Sequence, residues 1–128
     1  MKAKIGFFGG FALLYSSLSN AAGGDFIFRV NNEEHRFPAR CVDSLKYQDK
    51  DEMYPERVSM RLTTECGKTY SELTTKNVGK QLAACYESNL LMSALIISRM
   101  GPNIMLTTDK TPRVVLMQLL TDYGVKPN

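Results

Sequence analysis

The side chains in this sequence best suited to chemistry are three cysteines and one histidine, namely Cys41, Cys66, Cys85 and His35. They could bind a metal ion, exchange a disulfide or supply a nucleophile with its base. Zinc sites usually take paired ligands about two to four residues apart, and the sequence has no CxxC pair and no second histidine. We interpret His35 as a solvated residue of a polar turn. The sequence therefore predicts no metal site and no cofactor.

The cysteines favour a structural disulfide over a redox centre. A reactive thiolate usually has a cationic neighbour or a second cysteine in a CxxC motif, and Arg40 beside Cys41 is weak support for one. Cys66 falls at the start of a predicted helix, and Cys41 falls near the same corner of the preceding hairpin. Disulfide geometry needs this proximity, so we favour Cys41–Cys66 over Cys66–Cys85. The remaining thiol is expected to be buried.

Catalysis is disfavoured because no activated nucleophile is recognisable. Glu33-Glu34 and Asp51-Glu52 are loop charges and do not form an obvious acid–base pair. Tyr70 and Ser71 have no activating partner in view, and a reactive site needs a nucleophile with a base in reach. We predict that the protein is not an enzyme, and a small hydrolase or redox enzyme is kept only as a residual hypothesis.

The first 21 residues have the pattern of a cleavable signal peptide. Lys2 and Lys4 give a positive start, the run 5–18 is mostly apolar, and Ser19-Asn20-Ala21 supplies small residues for signal peptidase. We place the cut after Ala21, with Ala22 as the alternative. The apolar run is shorter than the ~20 residues that span a bilayer, which disfavours an uncleaved anchor. The prediction is therefore a signal peptide over 1–21 and one domain over 22–128, exported to the periplasm.

The charge balance excludes some partners. Cleavage of the leader lowers the net charge of +3 by two, to +1, and no long Lys/Arg run remains. Nucleic-acid binding therefore has little electrostatic support, and neither has a basic helix on a membrane surface. An exported chain meets an oxidising compartment, which agrees with a disulfide. After cleavage we expect no membrane span.

The positions of apolar and turn residues predict an α+β fold. Val58, Met60 and Leu62 alternate with polar residues, which is typical of a half-buried strand. The predicted elements, in chain order, are strands over Phe26–Val30, Cys41–Tyr47 and Tyr54–Thr63, a helix over Glu65–Lys76 with Thr64 as a cap, strands over Gln81–Tyr86, Leu90–Ser98 and Ile104–Thr107, and a helix that Thr111 caps, that begins at Pro112 and that Gly124 ends. We expect a hairpin of the second and third strands, and both helices on one face of a mainly antiparallel sheet.

The segment Leu90–Ile97 is apolar on both faces except at Ser93. This pattern indicates a central strand covered on both sides, or a strand whose outer face meets something else. We favour an ordinary core. The alternative is a partner surface that includes Leu91, Met92 and Met100, because methionine side chains adapt to varied contacts and a peptide strand can add to an exposed sheet edge.

One stretch carries a family resemblance. The segment ELTTKNVGKQLAACYESNLLMSALI resembles the head subdomain of the large periplasmic domain of SecD, the accessory subunit of the protein-export translocon. The matching motif residues are Glu72, Leu73, Thr74, Asn77, Gly79, Lys80, Leu82 and Ala83. The resemblance covers Tyr54–Pro127 well and Phe26–Tyr47 loosely. It departs from the family at the turn Glu87-Ser88-Asn89, where the family has Asp-Gly, and at Ala94, where the family has proline.

The motif residues also have structural explanations that need no family. Thr74 can bond a carbonyl in the last turns of the helix, and Asn77 can satisfy a helix-end carbonyl. Gly79 can reverse the chain in a left-handed conformation. We expect the small Ala83 to let the helix approach the strand. The motif therefore predicts a fold and does not predict catalysis.

The resemblance implies a detached SecD head, because this chain lacks the membrane helices and the base subdomain of SecD. We expect an exported periplasmic module that binds exported or envelope polypeptides and is not a motor. The alternative is a periplasmic inhibitor or immunity protein against one toxin or hydrolase. The sequence predicts neither the partner's identity nor the oligomeric state.

Overall fold

The alternating apolar residues assemble into two antiparallel sheets with two helices. The structure, a computed structural model, describes residues 23–126, so the predicted leader lies outside the described residues. Within this range the elements are β1 Phe26–Val30, β2 Glu33–Phe37, β3 Val42–Gln48, β4 Arg57–Leu62, α1 Thr64–Lys76, β5 Gln81–Tyr86, β6 Asn89–Leu95, β7 Asn103–Thr107 and α2 Arg113–Asp122.

The strands divide between a four-stranded sheet of order β2-β1-β5-β6 and a three-stranded sheet of order β3-β4-β7. Every strand pair in both sheets is antiparallel, which confirms the α+β class. The sequence suggested one sheet. Because β1 is paired on both sides, by β2 and β5, the β3–β4 hairpin cannot join it and pairs with β7 instead.

Both helices pack on one face of the four-stranded sheet, as predicted. Phe26 and Phe28 lie two residues apart in β1, so their side chains share a face. The ring of Phe28 lies 5.0 Å from that of Tyr70 in α1, and the ring of Phe26 lies 5.8 Å from that of Tyr123 at the end of α2. All four aromatic residues belong to or pack against the hydrophobic core.

The prediction that Ala83 lies beneath a helix was wrong, because Ala83 is on the opposite face of this sheet. Ala83 pairs with Arg29, and Ala84 pairs with Phe28. Because Phe28 faces the helices, Ala84 is the small residue beneath them, and Ala83 lies on the outer face. The predicted close approach of helix and strand therefore depends on Ala84, which is 3% exposed.

The ends of α1 follow the local signals in the sequence. Thr63 is the N-cap, and its hydroxyl accepts a hydrogen bond from the Cys66 backbone N–H at 3.3 Å. Thr64, the predicted cap, is the first residue of the helix. At the other end, the Asn77 side-chain amide donates to the Leu73 carbonyl at 2.8 Å. Gly79 then has φ of +90°, a conformation that glycine adopts without strain.

The start of α2 differs from the prediction. The helix begins at Arg113 after Pro112, and Thr111 does not cap it. The Thr111 hydroxyl donates instead to the Leu91 carbonyl in β6, at 2.9 Å. A buried carbonyl at a sheet edge needs a donor, and Thr111 supplies it from the neighbouring loop.

The sequence pattern does not predict strand β2, and His35 lies in this strand and not in the expected turn. The turn contains only Asn31 and Asn32, which have φ of 55° and 66°, and the chain then pairs back along β1. Two successive residues with positive φ are typical of the tightest hairpin turns. Strand β2 is mostly polar because it is the edge of its sheet, and His35 lies within it.

Strand β6 is also an edge strand, so of the two interpretations of the run Leu90–Ile97 the central strand is wrong, and a strand with an open outer face stands. The strand ends at Leu95. Three apolar residues of the run are exposed: Leu90 at 49%, Leu95 at 49% and Ile97 at 73%. Leu91 and Ile96 are buried. Some apolar side chains of the run therefore pack in the core, and the others are exposed on an open surface.

The favoured disulfide, Cys41–Cys66, is present with a Cα–Cα distance of 5.5 Å, and Cys85 is a buried free thiol. The register of the β3–β4 hairpin brings the two cysteines together, since Val42 pairs with Leu62 directly before α1. The Thr63 backbone N–H also donates to the Cys41 carbonyl at 2.9 Å.

Candidate functional site

Strands β6 and β7 lie next to each other, yet they belong to different sheets. No ladder joins them, because each is the edge strand of its own sheet. The backbone N–H of Thr107 in β7 donates to the thioether sulfur of Met92 in β6, at 3.1 Å. A thioether is a weak acceptor, so a strand donor at this edge has a poor partner. The gap between the two edges forms a cleft, which we call the edge cleft.

The edge cleft leads into a cavity of about 180 Å³. Its walls come from both sheets, from α1 and from the loop before β7. The lining residues are Phe28, Tyr70, Leu82, Ala84, Met92, Ala94, Met100, Asn103, Ile104, Met105 and Leu106. The lining is mainly apolar, so the cavity suits a hydrophobic side chain better than a charged one.

Three methionines shape the cleft. Met92 and Met100 are half-buried, whereas Met105 is 52% exposed. The Tyr70 hydroxyl donates to the sulfur of Met100 at 3.5 Å, and burial raises the pKa of Tyr70 to about 12, which keeps it a neutral donor. Methionine is unbranched and polarizable, so these walls can adjust to different apolar groups.

The predicted partner surface is only partly available. Met92 and Met100 line the cavity, but Leu91 is 3% exposed and belongs to the core, so its assignment to a surface was wrong. The register between β5 and β6 shifts between Ala84 and Cys85, which pair with Met92 and Leu90. Leu91 is therefore an extra residue that a bulge turns inward, and strict alternation does not predict it.

Most motif residues do not line the cavity. Of the eight, only Leu82 contributes to the cavity wall, and Glu72 and Lys80 are exposed. Thr74 is fully buried, and its hydroxyl accepts from the Met100 backbone N–H at 2.9 Å. This bond fixes the backbone of a cavity residue. The motif therefore positions one wall, as the structural explanation of these residues predicts.

The sequence pattern does not predict Met105 and Thr107 as cleft residues. Both lie in β7, a strand of five residues whose sheet partner is distant in sequence. An isolated short apolar strand gives no sign of which sheet it joins. The one available signal was the alternation of Ile104 and Leu106 with Met105, which leaves Met105 on the other face.

A second cleft, of about 360 Å³, lies on the outer face of the four-stranded sheet. Arg29 donates to the sulfur of Cys85 at 3.0 Å, and this bond raises the pKa of Arg29. Arg29 is therefore a cation beside the Cys85 thiol, and the sequence does not predict that these two residues are close. His35 lies 3.9 Å from Glu33 in the same strand, which is beyond hydrogen-bond distance, and both side chains are at least partly exposed to solvent.

Within residues 23–126, no group of three or more His, Cys, Asp and Glu side chains is placed to hold a metal ion. No helix of this range has both the length and the hydropathy to cross a membrane.

Comparison with known proteins gives a match in structure and none in sequence. No family model matches the chain, and no curated protein matches it. A solved structure of SecDF, described as a membrane component that enhances protein export, is similar with a TM-score of 0.59 and 14% identity. The similarity covers 83% of this chain and 64% of that one, so this chain spans less than two thirds of it.

A structure of SecDF in a super-membrane-facing form is also similar, with a TM-score of 0.49 and 19% identity over 62% of this chain and 11% of that one. The first similarity covers most of this chain. It agrees with the motif from Glu72 to Ala83, although identity at this level reports on fold alone. The chain therefore has the fold of a SecD-like domain.

Proposed function

We propose that this protein is an exported periplasmic module that binds other polypeptides and catalyses no reaction of its own. The observation that carries the proposal is the edge cleft between β6 and β7, with its methionine walls and its cavity of about 180 Å³. The SecD-like fold supports it, because the similar structure belongs to a component that enhances protein export. The signal-peptide pattern supports the location.

The edge cleft suits an extended polypeptide segment. Backbone groups of the segment can pair with the free edges of β6 or β7, which is a common way of recognising peptides. One apolar side chain of the segment can enter the cavity beside Met92 and Met100. Burial of a Leu or Phe side chain contributes roughly 1.5–3 kcal/mol, which is less than the ~4 kcal/mol of a millimolar complex, so backbone pairing must supply the rest and weak, reversible binding is expected.

A cavity-filling substitution tests the site. Ala94 lines the cavity on β6, so Ala94→Leu places a side chain where the ligand's side chain is expected. Ala83→Leu is the matched control, because Ala83 lies on the outer face of the adjacent strand. The probe is a fluorescein-labelled extended peptide with a single leucine, and binding is measured by anisotropy. We expect Ala94→Leu alone to weaken binding by about tenfold, since it removes roughly 1.4 kcal/mol of side-chain burial.

The class of partner needs a second experiment in the native envelope. A photo-crosslinking residue at Met105, at the cleft mouth, is compared with one at Val114 on α2, which is 76% exposed. Capture of many unfolded clients from Met105 alone supports the proposal. Capture of one folded partner with high affinity supports the inhibitor or immunity hypothesis instead. Equal capture from both positions, or turnover of a substrate by the pure protein, contradicts the proposal.

A further inference from the structure

One surface of the molecule, which we call the loop tip, is formed by residues 76–80 at the end of α1 and residues 95–99 at the end of β6. Two backbone hydrogen bonds join these segments. The Gly79 N–H donates to the Ile96 carbonyl at 2.7 Å, and the Ile96 N–H donates to the Lys80 carbonyl at 2.9 Å. Ile96 is fully buried, so the tip is anchored to the core and its two segments have a fixed relation.

The loop tip exposes three aliphatic side chains. Val78 is 51% exposed, Leu95 is 49% exposed and Ile97 is 73% exposed. Ile97 follows the buried Ile96, and Leu95 precedes it, so the pleat of the chain turns both neighbours outward. Single exposed apolar residues are ordinary, but three on two hydrogen-bonded segments form a patch that marks an interaction surface.

Cations accompany the aliphatic residues. Lys76, Lys80 and Arg99 are all exposed, and none forms an ion pair within residues 23–126. Glu72 lines a surface cleft together with Lys76 and Arg99, and the sequence contains no further Asp or Glu between Leu73 and Tyr86 or between Ser88 and Thr108, so cations outnumber carboxylates here. The loop tip is thus locally positive, although the whole chain is close to neutral once the leader is excluded.

We propose that the loop tip docks on a bilayer that contains anionic phospholipids. The aliphatic side chains enter the boundary between headgroups and acyl chains, and the three cations bind the lipid phosphates. Apolar residues beside Lys and Arg are the usual pattern of a surface that lies on a membrane. The tip has no aromatic residue, whereas the central contacts of protein interfaces are enriched in Trp and Tyr. A lipid surface is therefore a better fit than an acidic polypeptide.

This docking is independent of polypeptide binding in the edge cleft. The six side chains of the loop tip are not cavity-lining residues. The sequence has no basic amphipathic helix. The loop tip instead combines basic and aliphatic side chains from two segments that the fold brings together. Loss of the peptide-binding activity would leave the lipid proposal unaffected.

A single tryptophan tests the insertion, because the sequence contains no Trp. Ile97→Trp reports on the tip, and Val114→Trp, on the exposed face of α2, is the control. Each is mixed with vesicles of phosphatidylglycerol or of phosphatidylcholine. We expect a blue shift of the Ile97→Trp emission with phosphatidylglycerol alone and no shift for Val114→Trp. Val78→Trp replaces Ile97→Trp should the latter misfold by circular dichroism.

A charge experiment tests the role of the cations. The triple variant Lys76→Gln, Lys80→Gln, Arg99→Gln is compared with the control triple Lys46→Gln, Lys50→Gln, Lys110→Gln, whose three lysines are exposed elsewhere. Partition onto phosphatidylglycerol vesicles is measured by sedimentation at low salt. At about 1 kcal/mol per cation near the surface, the tip variant should partition on the order of 100-fold less, and the control much less affected.

Three outcomes overturn the lipid proposal. Equal partition onto the two kinds of vesicle excludes recognition of anionic lipid. Equal losses in the two triple variants show general charge attraction with no special role of the tip. A blue shift of Ile97→Trp with poly-glutamate but not with vesicles assigns the tip to an acidic polypeptide partner.

Discussion

Arg113 at the start of α2 binds both carboxylate oxygens of Glu56, the residue before β4. Nη1 lies 2.9 Å from Oε2, and Nη2 lies 2.7 Å from Oε1. Glu56 also accepts hydrogen bonds from the hydroxyls of Tyr47, at 2.5 Å, and Thr108, at 3.0 Å. A bidentate pair of this kind is geometrically specific, so it joins the three-stranded sheet to α2 in one orientation.

Glu56 should make the protein sensitive to acid. The bonds from Arg113 are the main reason that its pKa falls from 4.5 to about 2, and its side chain is 12% exposed. Because the folded pKa is the lower one, the stabilisation is complete above about pH 4.5 and is lost as the pH falls toward 2. We expect Glu56→Gln to lower the free energy of unfolding at neutral pH by roughly 2–3 kcal/mol, measured by urea denaturation.

The free energy of unfolding of Glu56→Gln should depend less on pH between pH 4.5 and 2 than that of the wild type. Glu52→Gln, at an exposed loop residue, is the control and should match the wild type in both measurements. An acid-unfolding profile of Glu56→Gln that overlays the wild-type profile would rule out Glu56 as the source of the dependence.

The first described residues are held in place by aromatic hydroxyls. Tyr123 donates to the Gly24 carbonyl at 2.7 Å, and the Gly24 N–H donates to the Tyr86 hydroxyl at 2.9 Å. A Cβ at Gly24 would lie 2.6 Å from that hydroxyl and would also clash with the Glu87 carboxylate. We expect Gly24→Ala to lower the melting temperature, at a cost of roughly 1–3 kcal/mol.

Gly101→Ala is the control for Gly24→Ala, because a Cβ at Gly101 meets no atom within 4 Å. It should leave the melting temperature nearly unchanged. Similar melting temperatures for the two variants would mean that the first residues leave their position in solution.

Thr74 should be a stability determinant within the family motif. Its buried hydroxyl lies 3.1 Å from the carbonyl of Tyr70 and accepts from the Met100 N–H at 2.9 Å. Thr74→Val keeps the shape and leaves a buried donor without a partner, at a cost of about 1–3 kcal/mol. The adjacent Thr75→Val, at an exposed site, should cost little. Hydrogen exchange at Met100 is the direct readout, and unchanged protection there would contradict the proposed bond.

The disulfide closes a loop with a sequence separation of 25 residues. Chain-entropy arguments give a stabilisation of about 3 kcal/mol for such a loop. The double variant Cys41→Ser, Cys66→Ser should therefore unfold at lower urea and lose the response to a reducing agent. Cys85→Ser should keep that response, because Cys85 is outside the bridge. A full response in the double variant would contradict this pairing.

Several features of the fold could be predicted because they depend on neighbours in the chain. The boundaries of α1 follow from a threonine cap and from Asn77 and Gly79, and strand β5 has the predicted limits Gln81–Tyr86. The Cys41–Cys66 bridge also follows, since a short hairpin places its two ends together. The SecD-like motif predicted the fold for the same reason, because its residues mainly serve this local turn.

The candidate site could be predicted only in part. Met92 and Met100 were named from composition, but Leu91 was misplaced by a bulge, and Met105 and Thr107 were missed. A bulge changes the face of a side chain without a clear signal in the sequence. The helix-facing role falls to Ala84 and not to Ala83 because the register between β1 and β5 decides the face of each residue.

The sequence by itself determined the end of α1 at Asn77, the limits of β5 and the α+β class, because these depend on residues close together in the chain, and it favoured the Cys41–Cys66 bridge. Only the tertiary structure decided that the strands form two sheets and that β6 and β7 face each other as unpaired edges. The physical reason is competition for hydrogen-bonding edges. Strand β1 accepts β2 and β5, and every other strand must then pair where an edge remains, a choice that depends on the whole chain.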